Sequence, residues 1–361
     1  MDKKYLVALY SFNAFGPART KLLVEYFGTS KDAWNATSKQ LLEIGLREST
    51  VENFINYRDK FNFEKYFSDL EKLKVNYVTV NDKDYPQNLK DLDDAPIVIY
   101  YKGENLKNID NAVSIVGSRK MTSYGKEVAY KFSYELASFG LTIVSGLALG
   151  VDSVVHRACV DAGGKSIAVV ASGLDYITPV SNFQIAKDVI KHNGLIFSEY
   201  PVGYRPTKID FPNRNRIISG LSKAVIVIEG ERKSGTLLTA SHAANQGRTV
   251  FAVPGQITSP MSGAPHFLIQ NGAKIAFSPR DILDELDIDF KVDKTAMENI
   301  MPSDNDERKI LEILDKEPLH LDEVARISML KVGVISAKLT VMELKRMVKN
   351  IGEGVYKKII N

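Results

Sequence analysis

A short glycine turn between a strand and a helix carries residues well suited to binding a phosphate group. Residues 113–125 read VSIVGSRKMTSYG, in which a β-branched apolar run stops at Gly117 and a helical pattern follows from about Tyr124. Such a unit opens many phosphate-binding α/β domains, because the free N–H groups at a helix start favour an anion. Ser118 can add a hydroxyl, and Arg119 adds a planar set of donors that matches phosphate oxygens.

The turn does not match the fingerprint of a dinucleotide-binding site. That fingerprint, G-x-G-x-x-G, needs three glycines, whereas Gly117, Arg119 and Thr122 supply only the first of them. We therefore expect a phosphate site that holds no nicotinamide or flavin cofactor. From this stretch alone, an ordinary turn with a surface arginine explains the residues equally well.

A second segment combines positive charge with an aromatic ring. Residues 204–219 read YRPTKIDFPNRNRIIS and are too polar to form a buried strand. Binding of a single strand without regard to sequence needs cations for the phosphates and a flat ring on which a base can stack. Phe211 would supply the ring, and a solvated basic loop with one core phenylalanine is the equally weighted alternative. The polar members of the segment are Lys208, Asn213, Arg214, Asn215 and Arg216.

Strands and helices alternate from residue 111 to about residue 290. Several strand candidates, among them AVSIVG, SIAVVASG and KAVIVIEG, are continuous apolar runs of the kind that is buried on both faces of a parallel sheet. This pattern predicts an α/β fold with an extended Rossmann-like, doubly wound and largely parallel sheet. Ligands of such sheets bind beyond the carboxyl ends of the strands, where this chain repeatedly has glycines and small hydroxyl residues.

The regions on either side of the sheet differ in composition, and we divide the chain accordingly. Residues 1–62 read as a helical domain that resembles a degenerate helix-hairpin-helix or SAM module, either a packing module or a DNA-contacting one. Residues 63–290 form the α/β domain, and the polar residues 291–306 form a linker. Residues 307–361 read as three short helices and a two-stranded wing, which describes a winged helix. Its third helix has few basic or amide residues, so we favour protein contacts over DNA reading.

Composition excludes several classes of protein. The chain has 361 residues, a net charge of +3 and one cysteine, Cys159, which excludes an internal disulfide and a cysteine-rich zinc module. None of the five histidines stands at metal-ligand spacing, so we expect no metal. The start lacks the features of a signal peptide, and no apolar run reaches the roughly 18 residues of a membrane span. We therefore expect a cytoplasmic protein without membrane contact.

Taken together, the motifs of the central region resemble those of the DprA/Smf family of DNA-processing proteins, which act in natural transformation. The resemblance spans residues 111–280 in order, and the flanking helical and winged-helix regions match the three-part layout of that family. The motifs that carry it are GSRKMTSYG at 117–125, SGLALGVDSVVH at 145–156, SEYPVG at 198–203, FPNRNRIISGLS at 211–222, SGTLLTA at 234–240, GRTVFAVPG at 247–255 and LIQNGA at 268–273.

The resemblance implies a non-catalytic mediator that binds and protects incoming single-stranded DNA, forms a homodimer and loads the RecA recombinase onto the strand. It implies that Arg119 and Lys208 hold phosphate and that Phe211 stacks on a base. Arg214 and Arg216 would line the same groove or support it through carboxylate pairs. The implied DNA-binding set is Gly117, Ser118, Arg119, Lys120, Lys208, Phe211, Asn213, Arg214, Asn215, Arg216, Ser234, Gly235 and Thr236.

An enzyme is the alternative interpretation. The same layout resembles the nucleotide phosphoribohydrolases known as lonely guy proteins. That resemblance implies general acid–base catalysis by a glutamate in the helix after P-G-G-x-G-T. Here the stretch after Thr236, LLTASHAANQG, contains no carboxylate, and Glu229 and Glu231 precede the turn instead. Hydrolysis would therefore lack its obvious acid or base, and we favour the mediator.

Overall fold

The computed structural model divides into two compact units, Met1–Ile288 and Asp289–Asn361. The residues that the structure describes are 2–103, 106, 109–287, 304–315, 317–344 and 347–359.

The first unit begins with helices, as the sequence predicts. Thr37 closes a capping box with Gln40, and Thr29 accepts a hydrogen bond from the Asp32 amide, so side-chain oxygens start two of the short helices. These six helices are α1 (Asp2–Tyr10), α2 (Pro17–Phe27), α3 (Ser30–Asn35), α4 (Ser38–Glu43), α5 (Glu48–Lys60) and α6 (Phe63–Lys72).

A nine-stranded sheet follows within the described part of this unit. Its strands are β1 (Asn76–Thr79), β2 (Val98–Lys102), β3 (Ala112–Val116), β4 (Thr142–Ser145), β5 (Ser166–Val169), β6 (Leu195–Ser198), β7 (Ala224–Val227), β8 (Thr249–Ala252) and β9 (Lys274–Ile275). The spatial order is β1-β2-β6-β5-β4-β3-β7-β8-β9. The seven strands from β6 to β9 in that order are parallel, and β1 and β2 pair antiparallel at one end.

Helices cover both faces of the sheet, which is why its central strands are apolar without alternation. On one face, Phe132 and Val155 pack against the sheet, and on the other face Ile217 and Ala243 do so. The predicted doubly wound, largely parallel α/β fold is therefore confirmed. The helices after β1 are α7 (Gln87–Lys90), α8 (Ser123–Ser138), α9 (Val151–Asp161), α10 (Phe183–Lys191), α11 (Asp210–Gly220), α12 (Thr236–Asn245), α13 (Gly263–Gln270) and α14 (Pro279–Glu285).

The order of the strands reverses at β3. From β3 the chain moves outward through β4, β5 and β6, and it then crosses back to place β7 on the other side of β3. The strand ends at this switch are the places where open α/β sheets bind ligands. The turn at Gly117 and the segment that begins at Ile228 follow the two strands that meet there.

The N-terminal helices share a hydrophobic core with the antiparallel end of the sheet. Leu6, Val7 and Tyr10 of α1 are buried together with Val98 and Tyr100 of β2. This joint core explains why the helical region and the sheet belong to one compact unit.

The second unit is a winged helix, which confirms the fold expected for the C-terminal region. Its core contains Ile310, Val324, Ile335 and Leu339. Helix α15 begins two residues before the end of the segment expected as linker, and residues 291–303 of that segment lie outside the described residues. The elements are α15 (Asn305–Leu314), β10 (Leu319–His320), α16 (Leu321–Ser328), α17 (Val332–Leu344), β11 (Val348–Gly352) and β12 (Val355–Lys358), with strand order β10-β12-β11.

Among the described residues, no helix combines the length and the apolar character needed to cross a membrane.

A buried histidine makes the stability of the first unit depend on pH. His156 of α9 is fully buried, with its Nδ1 2.7 Å from the Ser166 hydroxyl. Burial, assisted by the charge of Arg214, lowers the pKa of His156 to about 3. Below pH 6.5, His156 binds a proton in the unfolded chain but stays neutral in the folded chain, so acid favours unfolding.

We expect the free energy of unfolding to fall between pH 7 and pH 5 by about 2 kcal/mol more in the wild type than in His156→Gln, because the variant lacks this linkage at about 1.4 kcal/mol per pH unit. Urea unfolding at the two pH values measures the difference. The variant His192→Gln, which removes a histidine from an exposed site, is the control. Equal pH dependence of His156→Gln and wild type would contradict the assignment.

Candidate nucleic-acid interface

The glycine turn leads from β3 directly into α8. Thr122 caps the helix, since its hydroxyl accepts a hydrogen bond from the Gly125 amide at 3.1 Å. Within the turn, the Ser118 hydroxyl accepts a hydrogen bond from the Lys120 amide at 3.0 Å. Arg119 and Lys120 are exposed, so the turn presents two cations to solvent at the carboxyl edge of the sheet.

Two glycines allow α9 to pack onto this turn. A Cβ at Gly117 would lie 2.6 Å from a methyl group of Val151, and a Cβ at Gly150 would lie 2.3 Å from the Ser118 carbonyl oxygen. Gly150 also has a φ of +80°, which side-chain-bearing residues rarely adopt. The Val151 amide donates to the Ser118 carbonyl at 3.1 Å, which holds the turn against the start of α9.

A buried carboxylate fixes the other side of the turn. Glu229, which follows β7 and is 3% exposed, accepts hydrogen bonds from the Thr122 amide at 2.9 Å and from the Thr122 hydroxyl at 2.6 Å. A Cβ at Gly125 would lie 2.1 Å from a Glu229 oxygen, so glycine is needed for this approach. Sequence analysis did not assign this role to Glu229. Its position after a buried strand was the available signal.

The structure brings Arg119 and Phe211 together, although they belong to separate stretches of the chain. The Arg119 guanidinium lies 5.5 Å from the centre of the Phe211 ring, which is within cation–π range. Phe211 is half-buried, whereas Lys208 and Asn213 on either side of it are exposed. The polar segment becomes helical at Asp210, so Phe211 stands in the first turn of α11.

Asp210 holds the irregular part of this segment in place. Its Oδ2 accepts hydrogen bonds from the Thr207 amide at 2.6 Å and from the Tyr204 hydroxyl at 2.8 Å, and its Oδ1 accepts one from the Tyr200 hydroxyl at 3.2 Å. The rings of Tyr200 and Tyr204 are stacked with their centres 4.5 Å apart. The loop that carries Lys208 is therefore held in place on both sides by Asp210. Sequence analysis missed this arrangement, for which the three-residue spacing of Thr207 and Asp210 was the signal.

Arg214 lies inside the protein, so of its two expected roles, lining the groove or supporting it through carboxylate pairs, the structure excludes the first. It is 4% exposed, and its Nη1 donates to the carbonyl oxygens of Gly146, at 2.6 Å, and Val169. Burial lowers the pKa of Arg214 to about 10, and the charge of Asp152 opposes that shift. Asp152 in turn accepts hydrogen bonds from the Gly146 and Ala148 amides, so the pair shapes the turn after β4.

Arg216 is also internal, at 8% exposure, and supports the site through carboxylates. Its Nη2 donates to Glu199 at 2.6 Å, and its Nε lies 3.2 Å from Asp94. The Tyr10 hydroxyl donates to the same Glu199 oxygen at 3.2 Å, which links α1 to α11. Burial raises the pKa of Glu199, and the charge of Arg216 opposes that shift. The other amide of the predicted set, Asn215, is half-buried on the same helix.

The third predicted segment, 234–236, follows β7, which is the neighbour of β3 in the sheet. Helix α12 begins at Thr236 without a side-chain cap, and Gly235 precedes it in an exposed position. The Ser234 hydroxyl is buried and has no hydrogen-bond partner within the described part of the chain. The amides of Leu237 and Leu238 already donate to the carbonyl oxygens of Ser234 and Gly235, at 3.2 Å each, so the first turn of α12 is closed by its own backbone.

The described residues contain no group of three or more histidine, cysteine, aspartate or glutamate side chains that could hold a metal ion.

Comparison with known proteins gives the family. A family model described as DNA recombination-mediator protein A matches residues 76–287, and a model of the DprA winged helix domain matches residues 294–354. The chain is 32% identical to a protein named Smf from Synechocystis, over 95% of each chain.

Solved structures similar to this one include two of DNA processing protein A. The crystal structure of DNA processing protein A from Streptococcus pneumoniae matches with a TM-score of 0.67 and 34% identity, over 78% of this chain and 97% of that one. A structure of the Helicobacter pylori protein, which concerns its single-stranded DNA binding mode, matches with a TM-score of 0.53 and 30% identity, over 59% of this chain and 97% of that one. The chain belongs to the DprA/Smf family of DNA recombination mediators.

Proposed function

We propose that this protein binds single-stranded DNA, protects the incoming strand and loads RecA onto it during natural transformation. The observation that carries the proposal is the Arg119 guanidinium 5.5 Å from the Phe211 ring, with exposed Lys120 and Lys208 on the two segments that meet there. The family membership and the subject of the Helicobacter pylori structure support it. A cytoplasmic location is part of the proposal.

The arrangement suits a strand whose bases are not paired. Cations on the glycine turn and on the loop before α11 hold phosphates, while Phe211 offers a ring to one base. Stacking of this kind contributes about 1–3 kcal/mol per base and depends little on base identity. A duplex keeps its bases stacked within the helix, so only a single strand can use the phosphate contacts and the ring together.

Hydrogen bonds already hold the glycine turn and the loop before α11 in place in the free protein. Glu229 holds the glycine turn through Thr122, and Asp210 holds the loop through Thr207 and two tyrosines. Because these elements are positioned before the strand arrives, less conformational entropy is lost on binding.

Removal of the Phe211 ring should weaken the binding of single-stranded DNA. We expect Phe211→Ala to bind a labelled thymine 20-mer about tenfold more weakly than wild type, which corresponds to loss of one stacked base. Fluorescence anisotropy measures this, and the same variant should stimulate RecA strand exchange less than wild type does.

The matched control is Phe139→Ala, at a partly exposed phenylalanine that follows the far end of α8. It should bind the strand as tightly as wild type. Equal affinity of Phe211→Ala and wild type would remove the stacking role, and equal stimulation of RecA by both would separate strand binding from RecA loading.

We also propose that the protein acts as a homodimer, with the outer edge of β9 at the contact. Ile275 and Phe277 are 41% and 75% exposed beside this last strand of the sheet, and Ile257 is 90% exposed. An exposed strand edge with apolar side chains is a template for pairing with a second chain. A second copy would cover both the edge and these side chains.

A charge at this edge should separate the copies. We expect wild type to show twice the mass of one chain by light scattering and Phe277→Glu to show the mass of one, because a carboxylate at the contact would be desolvated without a partner. Phe139→Glu is the control and should remain dimeric. A wild type that is monomeric at micromolar concentration would refute the dimer, and a dimeric Phe277→Glu would move the contact elsewhere.

We propose no catalytic role. Helix α12 carries no carboxylate, and both oxygens of Glu229 already accept hydrogen bonds from Thr122. The acid or base that a phosphoribohydrolase needs is therefore missing from the place where that class of enzyme has it.

Incubation with nucleoside monophosphates should accordingly release no free base. Chromatography of the mixture measures release, with a Glu231→Gln variant as the comparison because Glu231 is the exposed carboxylate next to α12. Release by wild type at enzyme-like rates that the variant loses would establish the hydrolase instead.

A further inference from the structure

A second contact between a cation and a ring joins the loop before α11 to the loop after β5. The Arg205 guanidinium lies 4.2 Å from the centre of the Tyr176 ring, within cation–π range. Arg205 Nη1 is also 3.6 Å from an Asp175 oxygen, and the Arg205 side chain is 59% exposed. A ring and a carboxylate therefore hold the guanidinium group while part of it faces solvent. Neither Arg205 nor Tyr176 belongs to the DNA-binding set that the sequence predicts.

Backbone hydrogen bonds fix the two loops against each other. The Gly173 amide donates to the Tyr204 carbonyl oxygen at 3.0 Å. In the other direction, the Gly203 amide donates to Asp175 Oδ1 at 2.8 Å. Arg205 follows directly after these contacts, so its backbone is held in place before any ligand arrives.

This contact lies on the same edge of the sheet as the glycine turn. Tyr176 follows β5 and Arg119 follows β3, with β4 between these two strands. Neighbouring strands are about 4.8 Å apart, so the ends of β3 and β5 are about 10 Å from each other. The Asn182 side chain donates to the Leu147 carbonyl oxygen at 2.9 Å, which ties the segment after β5 to the turn after β4. The two cation–ring contacts are thus only a few nucleotides apart along one edge.

The loop between the two contacts presents a surface that suits a nucleic-acid strand. Arg205, Lys208 and Phe211 follow one another at intervals of three residues, and Arg205 and Lys208 are exposed. Ile209 is 70% exposed, whereas Asp210, the one carboxylate in the sequence from 205 to 211, is 7% exposed. A strand that runs from Phe211 to Arg205 therefore meets a cation for its backbone and no exposed carboxylate of this loop.

The planar face of Arg205 is more useful to a strand than its charge. The Asp175 carboxylate offsets that charge, so Arg205 attracts a phosphate less than an unpaired cation would. A guanidinium group is planar and weakly hydrated, and a base can stack on it as on an aromatic ring. Because Tyr176 holds the group from one side, the side that faces solvent can receive a base.

We propose that Arg205, supported by Tyr176, is a second stacking position for a base of the bound strand. The inference rests on the proposed single-strand binding and extends that site from Phe211 across the ends of β4 and β5. The strand would place one base on Phe211 and another on Arg205, with Lys208 on a phosphate between them. Stacking of this kind depends little on which base is present.

The test separates stacking from charge with Arg205→Lys, which keeps the charge and removes the plane. We expect this variant to bind a labelled thymine 20-mer about fivefold more weakly than wild type by anisotropy, the lower end of what one stacked base contributes. A 20-mer of abasic deoxyribose phosphates has the same charge and no bases. Wild type and Arg205→Lys should bind that abasic strand equally.

Three further variants locate the effect. Tyr176→Ala removes the support of the guanidinium group and should also weaken binding of the thymine strand, whereas Tyr176→Phe keeps the ring and should bind as wild type does. Arg280→Lys is the matched control, because Arg280 is an exposed arginine 3.7 Å from Asp284 on α14, beyond the other end of the sheet. It should bind both strands as wild type does.

Equal affinity of Arg205→Lys and wild type for the thymine strand would overturn the inference. A loss that is as large on the abasic strand would overturn it too, because Arg205 would then contact a phosphate. Neither result would affect the proposed function, which is tested by the loss of thymine-strand affinity in Phe211→Ala.

Discussion

Two buried arginines fix helix α11 to the sheet, and the position of Phe211 depends on them. Arg214 donates to the carbonyl oxygens of Gly146 and Val169, at the ends of two strands. Arg216 donates to Glu199, after a third strand. Taking away one partner of such a buried pair typically costs about 3–5 kcal/mol, because a charge is left without compensation. The start of α11 is therefore held at the carboxyl edge of the sheet.

Buried carboxylates hold the loops at that edge of the sheet in place. Glu229 holds the glycine turn, Asp152 holds the turn after β4, and Asp210 holds the loop before α11. Each accepts at least one backbone N–H group from the irregular segment that it holds, so these segments keep their hydrogen bonds without extending the sheet. The exposed cations Arg119, Lys120 and Lys208 thus stand on a rigid base, which suits a site that grips a flexible strand.

The N-terminal helices also belong to this network. Tyr10 of α1 donates to the Glu199 oxygen that accepts from Arg216. The helical region is thereby tied to the helix that carries Phe211. The packing of the N-terminal region and the position of Phe211 are therefore connected through one carboxylate, Glu199.

The sequence by itself determined the fold class and the parts of the candidate site that are local. Continuous apolar runs such as Val113–Val116 predict buried parallel strands, because both faces of such a strand must be covered. The run that stops at Gly117 likewise predicts a turn at a strand end, and the basic segment around Phe211 marks a charged surface with a ring. These features depend on residues that are close together along the chain.

Only the tertiary structure decided which polar residues face solvent and which lie inside. Arg214 and Arg216 look the same in sequence as the exposed Lys208, yet they are buried because Gly146, Val169, Glu199 and Asp94 provide their partners from distant parts of the chain. The meeting of Arg119 with Phe211 has the same origin. The burial of a charge depends on what lies opposite it after folding, and local pattern contains no information on that.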